Sequence, residues 1–469
     1  MKKLSMTLGM LLVAISSFAG TYQSGFFLDN YCYGYRVNPA ITSEKGFMSV
    51  AIGSVTPSLA SDIGLGTFIF KSPSGGLVTG LNSSVSPDDF PGALKKVNSL
   101  NFGIDYNLFS TGRWAKENVF TNFEINVKAG LSASLPKELF TFLKLGSSNE
   151  TFNLSSLGAN VNAYAEIAYG RSRIFDKLTI GWRAKALVGV ANGGLKVNNA
   201  AVTVNRDEVS YNIDADIYAA AKGLSFGSYI SESTGRKVMD IEDVYFDPSA
   251  IRPSGIGAAI DLGATYTFFD KLTVSAAICD LGAISWKNNV FARSNGEQGF
   301  YGIEGIDFNG DSIDKDLDAI FEELGNLGEF VVEEPKGRSL QMIPMKANIG
   351  ATMQLAKIFS VSYLGTFSFG TPANTWMDHR LGAAFTPIKW FSLAPNIGYG
   401  SFGPVWGGAL AINLIGINIH AGFDGFIGPI AKLIPEDTEI PVLGYIPAPI
   451  KPFKSSGSIG ITITFGERH

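Results

Sequence analysis

Few side chains in this 469-residue chain are placed to do catalysis. Its three histidines are His379, His420 and His469. None belongs to a His-Glu-x-x-His pair, the helical spacing that aims two imidazoles at one metal. No Gly-x-Ser-x-Gly turn lifts a serine nucleophile, and no Gly-rich phosphate loop occurs. His420 lies between Ile419 and Ala421 in an alternating run and reads as an enclosed polar position. The nearest approach to a metal spacing is Asp307, Asn309 and Asp311, oxygen donors at alternate positions as in a calcium loop. Position six of such a loop needs Gly and is Ser312 here; position twelve needs a bidentate Glu and is Asp318. A solvated acidic loop over 304–334 is the plainer account, with 314–327 patterned as a short amphipathic helix on Leu317, Ile320, Phe321 and Leu324. These residues point away from an enzyme, call for no cofactor, and leave only that weak calcium-like spacing as a metal candidate.

What remains is a set of charges inside otherwise greasy segments: Asp105, Glu124, Lys128, Glu166, Arg183, Lys185 and Asp261. Each falls on the polar side of a run that alternates apolar and polar residues. Leu100, Phe102, Ile104, Tyr106 and Leu108 alternate with Asn101, Gly103, Asp105 and Asn107. Residues 122–133, 159–167, 178–186, 258–268 and 459–465 repeat the pattern. Side chains of a strand alternate between its faces, so each run has one greasy and one wet surface. Many runs last ten residues or more. Soluble strands average about five or six, whereas a membrane-crossing strand needs about 9–11. A Lys or Arg facing lipid at mid-depth costs about 2–4 kcal/mol, so the seven charges are assigned to an enclosed interior. There they either brace a barrel as a lattice or line a wet path, and both readings stay open.

The composition agrees. The chain is 46% hydrophobic, yet beyond its N-terminus it has no run of the ~20 apolar residues that a spanning helix needs. Charged residues make up 17%, below the roughly 25% of soluble domains. No basic stripe exists, so no nucleic-acid partner is expected. The fold class expected is all-β: a transmembrane antiparallel β-barrel of about 14 strands, with 12–16 admissible and an even count required. Residues 1–19 read as a secretory signal. Lys2 and Lys3 precede a short apolar core, and Ser17-Phe18-Ala19 sets small residues before a cut near Ala19. Cys32 and Cys279 lie far apart in sequence and read as two unpaired residues in different elements, with a single disulfide between them as the alternative that an oxidising compartment allows.

A turn signature recurs. Ile174-Phe175-Asp176-Lys177-Leu178 resembles Phe268-Phe269-Asp270-Lys271-Leu272, and Ile358-Phe359 and Trp390-Phe391 stand in equivalent places. These read as tight hairpins with aromatics at a membrane boundary. Long loops are expected at the other rim, over 72–98, 193–208, 223–255, 288–341 and 425–457. Residues 136–144, opened by a proline, are a second helical candidate, readable as an external lip helix against the barrel or as a loop ornament.

Two clusters carry a family resemblance. One is Ser24-Gly25-Phe26-Phe27-Leu28-Asp29 followed by Arg36-Val37-Asn38-Pro39-Ala40. The other is the segment from Gly257 to Ala264 with Cys279-Asp280-Leu281-Gly282 and Ser285-Trp286. Together with the signal they resemble a Bacteroidota family of outer-membrane barrels described as a domain of unknown function. That family is similar to FadL-type fatty-acid transporters and to PorV-type barrels of a secretion system. The resemblance implies an outer-membrane location and a barrel over 45–469 plugged from inside by a hatch over 20–44, with Asn38, Pro39 and Ala40 as the hatch motif. It implies passive transport or binding of small hydrophobic molecules, with outer-membrane lipid around the barrel. The alternative it leaves is a scaffold barrel that holds protein partners through external loops such as 288–341. No FadL-type capture site can be matched residue by residue, and Phe465 is not the last residue, as a barrel's terminal aromatic commonly is.

Overall fold

The computed structural model describes residues 22–29, 31–73, 75–145, 150–204, 208–231, 235–301, 329–335, 337–433 and 446–467. The signal reading over 1–19 and the calcium-like triplet Asp307, Asn309 and Asp311 lie outside these residues, as does the helix read over 314–327.

Fourteen antiparallel strands close on themselves. In chain order they are β1 (Lys45–Ser61), β2 (Val97–Lys116), β3 (Val119–Pro136), β4 (Gly158–Phe175), β5 (Leu178–Val204), β6 (Gly255–Phe268) and β7 (Leu272–Trp286). They continue as β8 (Met345–Ala356), β9 (Phe359–Phe369), β10 (Trp376–Ile388), β11 (Phe391–Gly400), β12 (Gly403–Leu414), β13 (Ile417–Phe426) and β14 (Phe453–Glu467). Each pairs with its neighbour in sequence, and β1 pairs with β14 to close the ring. Closure leaves no sheet edge, the condition for a strand protein to sit in hydrocarbon, where an unpaired backbone group finds no water.

The alternation is used as its physics dictates. Outward positions carry large apolar side chains, such as Ile256, Ile260, Leu262, Tyr266 and Phe268 on β6 and Ile459, Ile461, Ile463 and Phe465 on β14. From Ile256 to Phe268, at ~3.3 Å per residue and a tilt of about 40°, the band is roughly 30 Å tall, the thickness of a bilayer core. Most inward positions are small, amide-bearing or charged and are buried or half-buried, with large side chains such as Phe47, Phe120 and Trp286 among them. Among the described residues no helix is long and apolar enough to cross a membrane.

One rim is made of tight turns: 117–118, 176–177, 269–271, 357–358, 389–390 and 415–416. Asp176, Phe269 and Asp270 have positive φ there, the geometry that the short reversals require. Phe269, Trp390 and Ile415 stand exposed on this rim.

At the other rim the sequence reading is corrected. Residues 193–208 were expected to form a loop; instead β5 runs on to Val204, 27 residues in all, and continues into a strand at Glu208–Ala221. Residues 223–255 contain a hairpin, Leu224–Ile230 with Lys237–Phe246, and the 288–341 connection contains a strand at Val290–Tyr301. The reason is a second core above the barrel. A short helix at Tyr22–Phe26 is α1, and the expected second helix, α2, spans Lys137–Leu145. Leu139, Phe142 and Leu143 of α2 pack on Phe152, Leu154, Val202, Ile213 and Ala215. That burial rewards strand pairing beyond the membrane band, so β5 does not stop where its hydrocarbon-facing part ends.

Candidate functional site

Residues 22–29 and 31–44 run inside the barrel. Tyr31, Tyr33, Tyr35, Phe27 and Val37 are buried in a core shared with wall residues Phe47, Phe120, Leu364 and Ala394. The Asn38-Pro39-Ala40 segment is pinned at several points. The Asn38 Oδ1 accepts from the Ala40 amide at 2.9 Å, while its Nδ2 donates to the carbonyls of Ala264 on β6 and Ala276 on β7 at 3.1 and 3.2 Å. Ser172 on β4 donates to the Pro39 carbonyl at 2.6 Å. Two wall glycines make room: a Cβ on Gly181 would strike the Pro39 carbonyl, and one on Gly263 would strike Asn38. The sequence marks inward glycines only as polar-side positions; their use as seats for an internal segment shows only once the segment is in place.

The seven charges read from sequence are all buried or half-buried on the inner face, and they converge. Arg36, from the internal segment, sits at 2.8 Å from Glu124 on β3, which also holds Arg183 on β5. Arg183 reaches Asp261 on β6 at 3.1 Å. Lys185 lies 2.8 Å from Asp261 and 2.5 Å from Asp280 on β7. Lys128 pairs with Glu166 at 2.8 Å and approaches Asp105 at 3.8 Å. Lys346 closes the set at 3.7 Å from Asp280. Arg36, Lys128, Arg183, Lys185 and Lys346 are five cations, and Asp105, Glu124, Glu166, Asp261 and Asp280 are five carboxylates, so the network is neutral. Buried charges are tolerable only in such mutual pairing, because each ion costs several kcal/mol to take from water. Tyr35 adds a hydrogen bond to Glu124 at 3.0 Å, and the Arg36 guanidinium lies 4.4 Å from the Tyr33 ring centre.

A second network was missed in the sequence. Asp378 accepts from Arg380 at 2.9 Å and from Lys454 at 2.8 Å; Arg380 also pairs with Asp424. Two cations again meet two carboxylates. Ser24 and Gln23 of α1 bond to Asp424 and Lys454, so this network holds the start of the internal segment. The signal was present: Asp378 and Arg380 share one face of β10, and the face rule used for β2 to β6 finds them. Cys32 and Cys279 are both free and buried. The Cys279 thiol faces the Val37 carbonyl at 3.4 Å, and burial pushes the Cys32 thiol up from its ordinary range. His420 is wedged edge-on against Tyr31 and Tyr33, with ring centres 5.3 and 5.4 Å away. Among the described residues no group of three His, Cys, Asp or Glu side chains is disposed to hold a metal ion.

Above the internal segment is a vestibule of about 320 Å³, walled by Lys128, Asp280, Lys346, Asn101 and Trp376. It shares Asn162, Tyr164, Ile343 and Asn374 with a throat of about 30 Å³. The throat shares Asn160, Gln341 and Thr371 with a cleft of about 540 Å³ at the long-loop rim. Leu157, Leu195, Val197, Phe291, Leu340 and Pro372 give this cleft apolar walls among serines and asparagines. Cleft, throat and vestibule thus follow one another from the long-loop rim towards the pinned segment, each sharing walls with the next.

Among solved structures, the chain is similar to the toluene transporter TodX of P. putida, with a TM-score of 0.42 and 9% identity over 97% of both chains. It is similar to the Ralstonia pickettii toluene transporter TbuX, with a TM-score of 0.43 and 10% identity over 96% of this chain and 100% of that one. A Pseudomonas aeruginosa FadL homologue gives a TM-score of 0.41 and 11% identity over 96% and 99% of the two chains. No curated protein matches the sequence. A family model covers residues 39–424, from the pinned Pro39 to the Asp424 of the second network, and the chain belongs to that family, the family of unknown function DUF5723.

Proposed function

We propose that the protein is an outer-membrane barrel that binds small hydrophobic molecules from outside the cell and passes them inward without an energy source. In this reading residues 1–19 are removed on export, 20–44 form the hatch, and the long-loop rim faces outward, as in barrels of this kind. The observation that carries it is the row of cavities with shared walls, from the rim cleft to the vestibule above the internal segment. A ligand partitions against Leu195, Phe291 and Leu340, then escapes as the segment around Asn38, Pro39 and Ala40 shifts. Asp105, Glu124, Lys128, Glu166, Arg183, Lys185 and Asp261 act as the brace against which the hatch is held.

The neutral, mutually paired lumen favours a second reading, a scaffold barrel that binds partner proteins through loops such as 288–341. Mass spectrometry of ligands co-purifying with the protein separates the two. Transport predicts a hydrophobic small molecule that is lost in Leu340→Glu, and raised planar-bilayer conductance on deletion of 20–40. An empty cleft with unchanged conductance leaves only the scaffold. Membrane fractionation and heat-modifiable gel mobility test the location; a soluble periplasmic species defeats both readings.

A further inference from the structure

We infer that the turn joining β9 to β10, residues 370–375, is a gate between the rim cleft and the vestibule, held shut by Asn101 and Ser132; the inference rests on the transport reading above. The turn leaves the wall at the Ser368↔Trp376 pair, on the long-loop side. Over Pro372–Asn374 it folds inward as a single 3-10 turn. Its tip meets the opposite wall. The Ala373 carbonyl accepts from Asn101 Nδ2 on β2 at 2.7 Å, and Asn374 Nδ2 donates to Ser132 Oγ on β3 at 3.3 Å. Asn101 and Ser132 are cross-strand partners, so both bonds land on one spot. β9 and β10 stand seven strands from β2 and β3, half of the fourteen-strand ring, so the turn reaches across the lumen.

This crossing lies where the cavities narrow. Thr371, Pro372 and Ala373 wall the rim cleft of about 540 Å³, Gly370, Thr371 and Asn374 wall the throat of about 30 Å³, and Asn374 walls the vestibule of about 320 Å³. Ser132 faces both cleft and vestibule, at the point where the tip rests. The throat has room for roughly one or two waters, so a hydrophobic molecule held in the cleft reaches the vestibule by this route only when the turn lifts. The turn is built to move as one piece. The Asn374 amide donates to the Thr371 carbonyl at 2.9 Å, Asn374 Nδ2 to Thr371 Oγ1 at 3.1 Å, and Thr375 Oγ1 to the Thr371 carbonyl at 3.1 Å. Two neutral side-chain bonds tie it to the far wall, each weaker than the charge-assisted bonds that hold the internal segment. The Asn101 amide makes no other hydrogen bond among the described residues. Closed ladders already satisfy the backbone of the wall, so the tie is not what keeps the barrel folded.

The test follows thiol labelling of the full-length protein by N-ethylmaleimide and by the bulkier fluorescein maleimide, against the parent chain, whose own two cysteines are buried. Ser58→Cys puts a reporter on the vestibule wall, and Ala373→Cys puts one on the buried tip of the turn. With the ties intact both reporters are expected to label slowly, and Ser58→Cys to exclude the larger reagent. Adding Asn101→Ala/Ser132→Ala is expected to speed both at least about tenfold, the worth of two neutral hydrogen bonds, and to admit the larger reagent. Asn374→Ala, which drops the Ser132 bond from the side of the turn, should act in the same direction and serves if the wall variant fails to fold. Fast labelling of Ser58→Cys with the ties intact overturns the gate, as do unchanged rates in folded, heat-modifiable variants that lack them. If those results come with a hydrophobic ligand that co-purifies, the gate falls and the transport reading stands. An empty cleft and unchanged conductance on deletion of 20–40 overturn that reading and the gate's role with it.

Discussion

Arg36→Ala is the sharpest perturbation of the proposed hatch. The native guanidinium donates to Glu124 at 2.8 Å, to Ser54 at 2.9 Å and to Asn126 at 3.1 Å, all buried. Hydrogen bonds to charged groups are worth about 1.5–3 kcal/mol, and stranding a buried charge raises the cost to about 3–5 kcal/mol. Glu124 keeps Arg183 and Tyr35, so it is not stranded, and the low end, about 3 kcal/mol, applies. At 1.4 kcal/mol per tenfold, hatch release becomes roughly 100-fold easier. The barrel itself should survive, because all fourteen ladders are untouched. In planar bilayers the variant should show frequent openings absent from native protein, and limited trypsin should cut within 22–44 before any barrel strand. Arg36→Lys, which restores the charge without the fork, should fall between. A folded Arg36→Ala barrel with native electrical silence and native protection of the hatch would refute the claim that this contact holds the plug.

Other outcomes follow from the same geometry. Gly263→Val should clash with Asn38, cost about 1–3 kcal/mol by overpacking, and expose the hatch to protease; unchanged urea stability and protection would deny the close approach. Ile260→Lys, outward on β6 near mid-depth, should destabilise vesicle-refolded protein by about 2–4 kcal/mol, and a loss under 1 kcal/mol would move the band elsewhere. Maleimide should leave Cys32 and Cys279 unmodified at pH 8 until heat in detergent unfolds the barrel, because both are buried and burial holds the Cys32 thiol protonated; fast labelling of the folded state would show an open lumen.

The wall was legible in the sequence because it obeys one rule of period two. Wherever Phe102, Ile125 or Ile461 alternated with a polar neighbour, a strand was present, and the charges between them faced inward. Three things escaped. The 193–204 extension of β5 mixes Gly, Asn and Val in a loop-like composition, and it is a strand because α2 and Phe152 cover it. The second network was overlooked although Asp378 and Arg380 obey the rule, because their neighbours Trp376 and Met377 blur the contrast. Asp280 sits at positive φ in a bulge and donates its amide to Asp261 at 2.7 Å, so it reaches the network from a position that strict alternation does not define.

Of the ten charges in the larger network, Arg36 alone travels with the internal segment; the other nine are fixed to the wall. A barrel that loses its plug therefore keeps four cations facing five carboxylates. The emptied passage would carry a surplus negative charge along the wall that the network lines, favouring potassium over chloride, and its reversal potential in a salt gradient would report whether the plug is in or out.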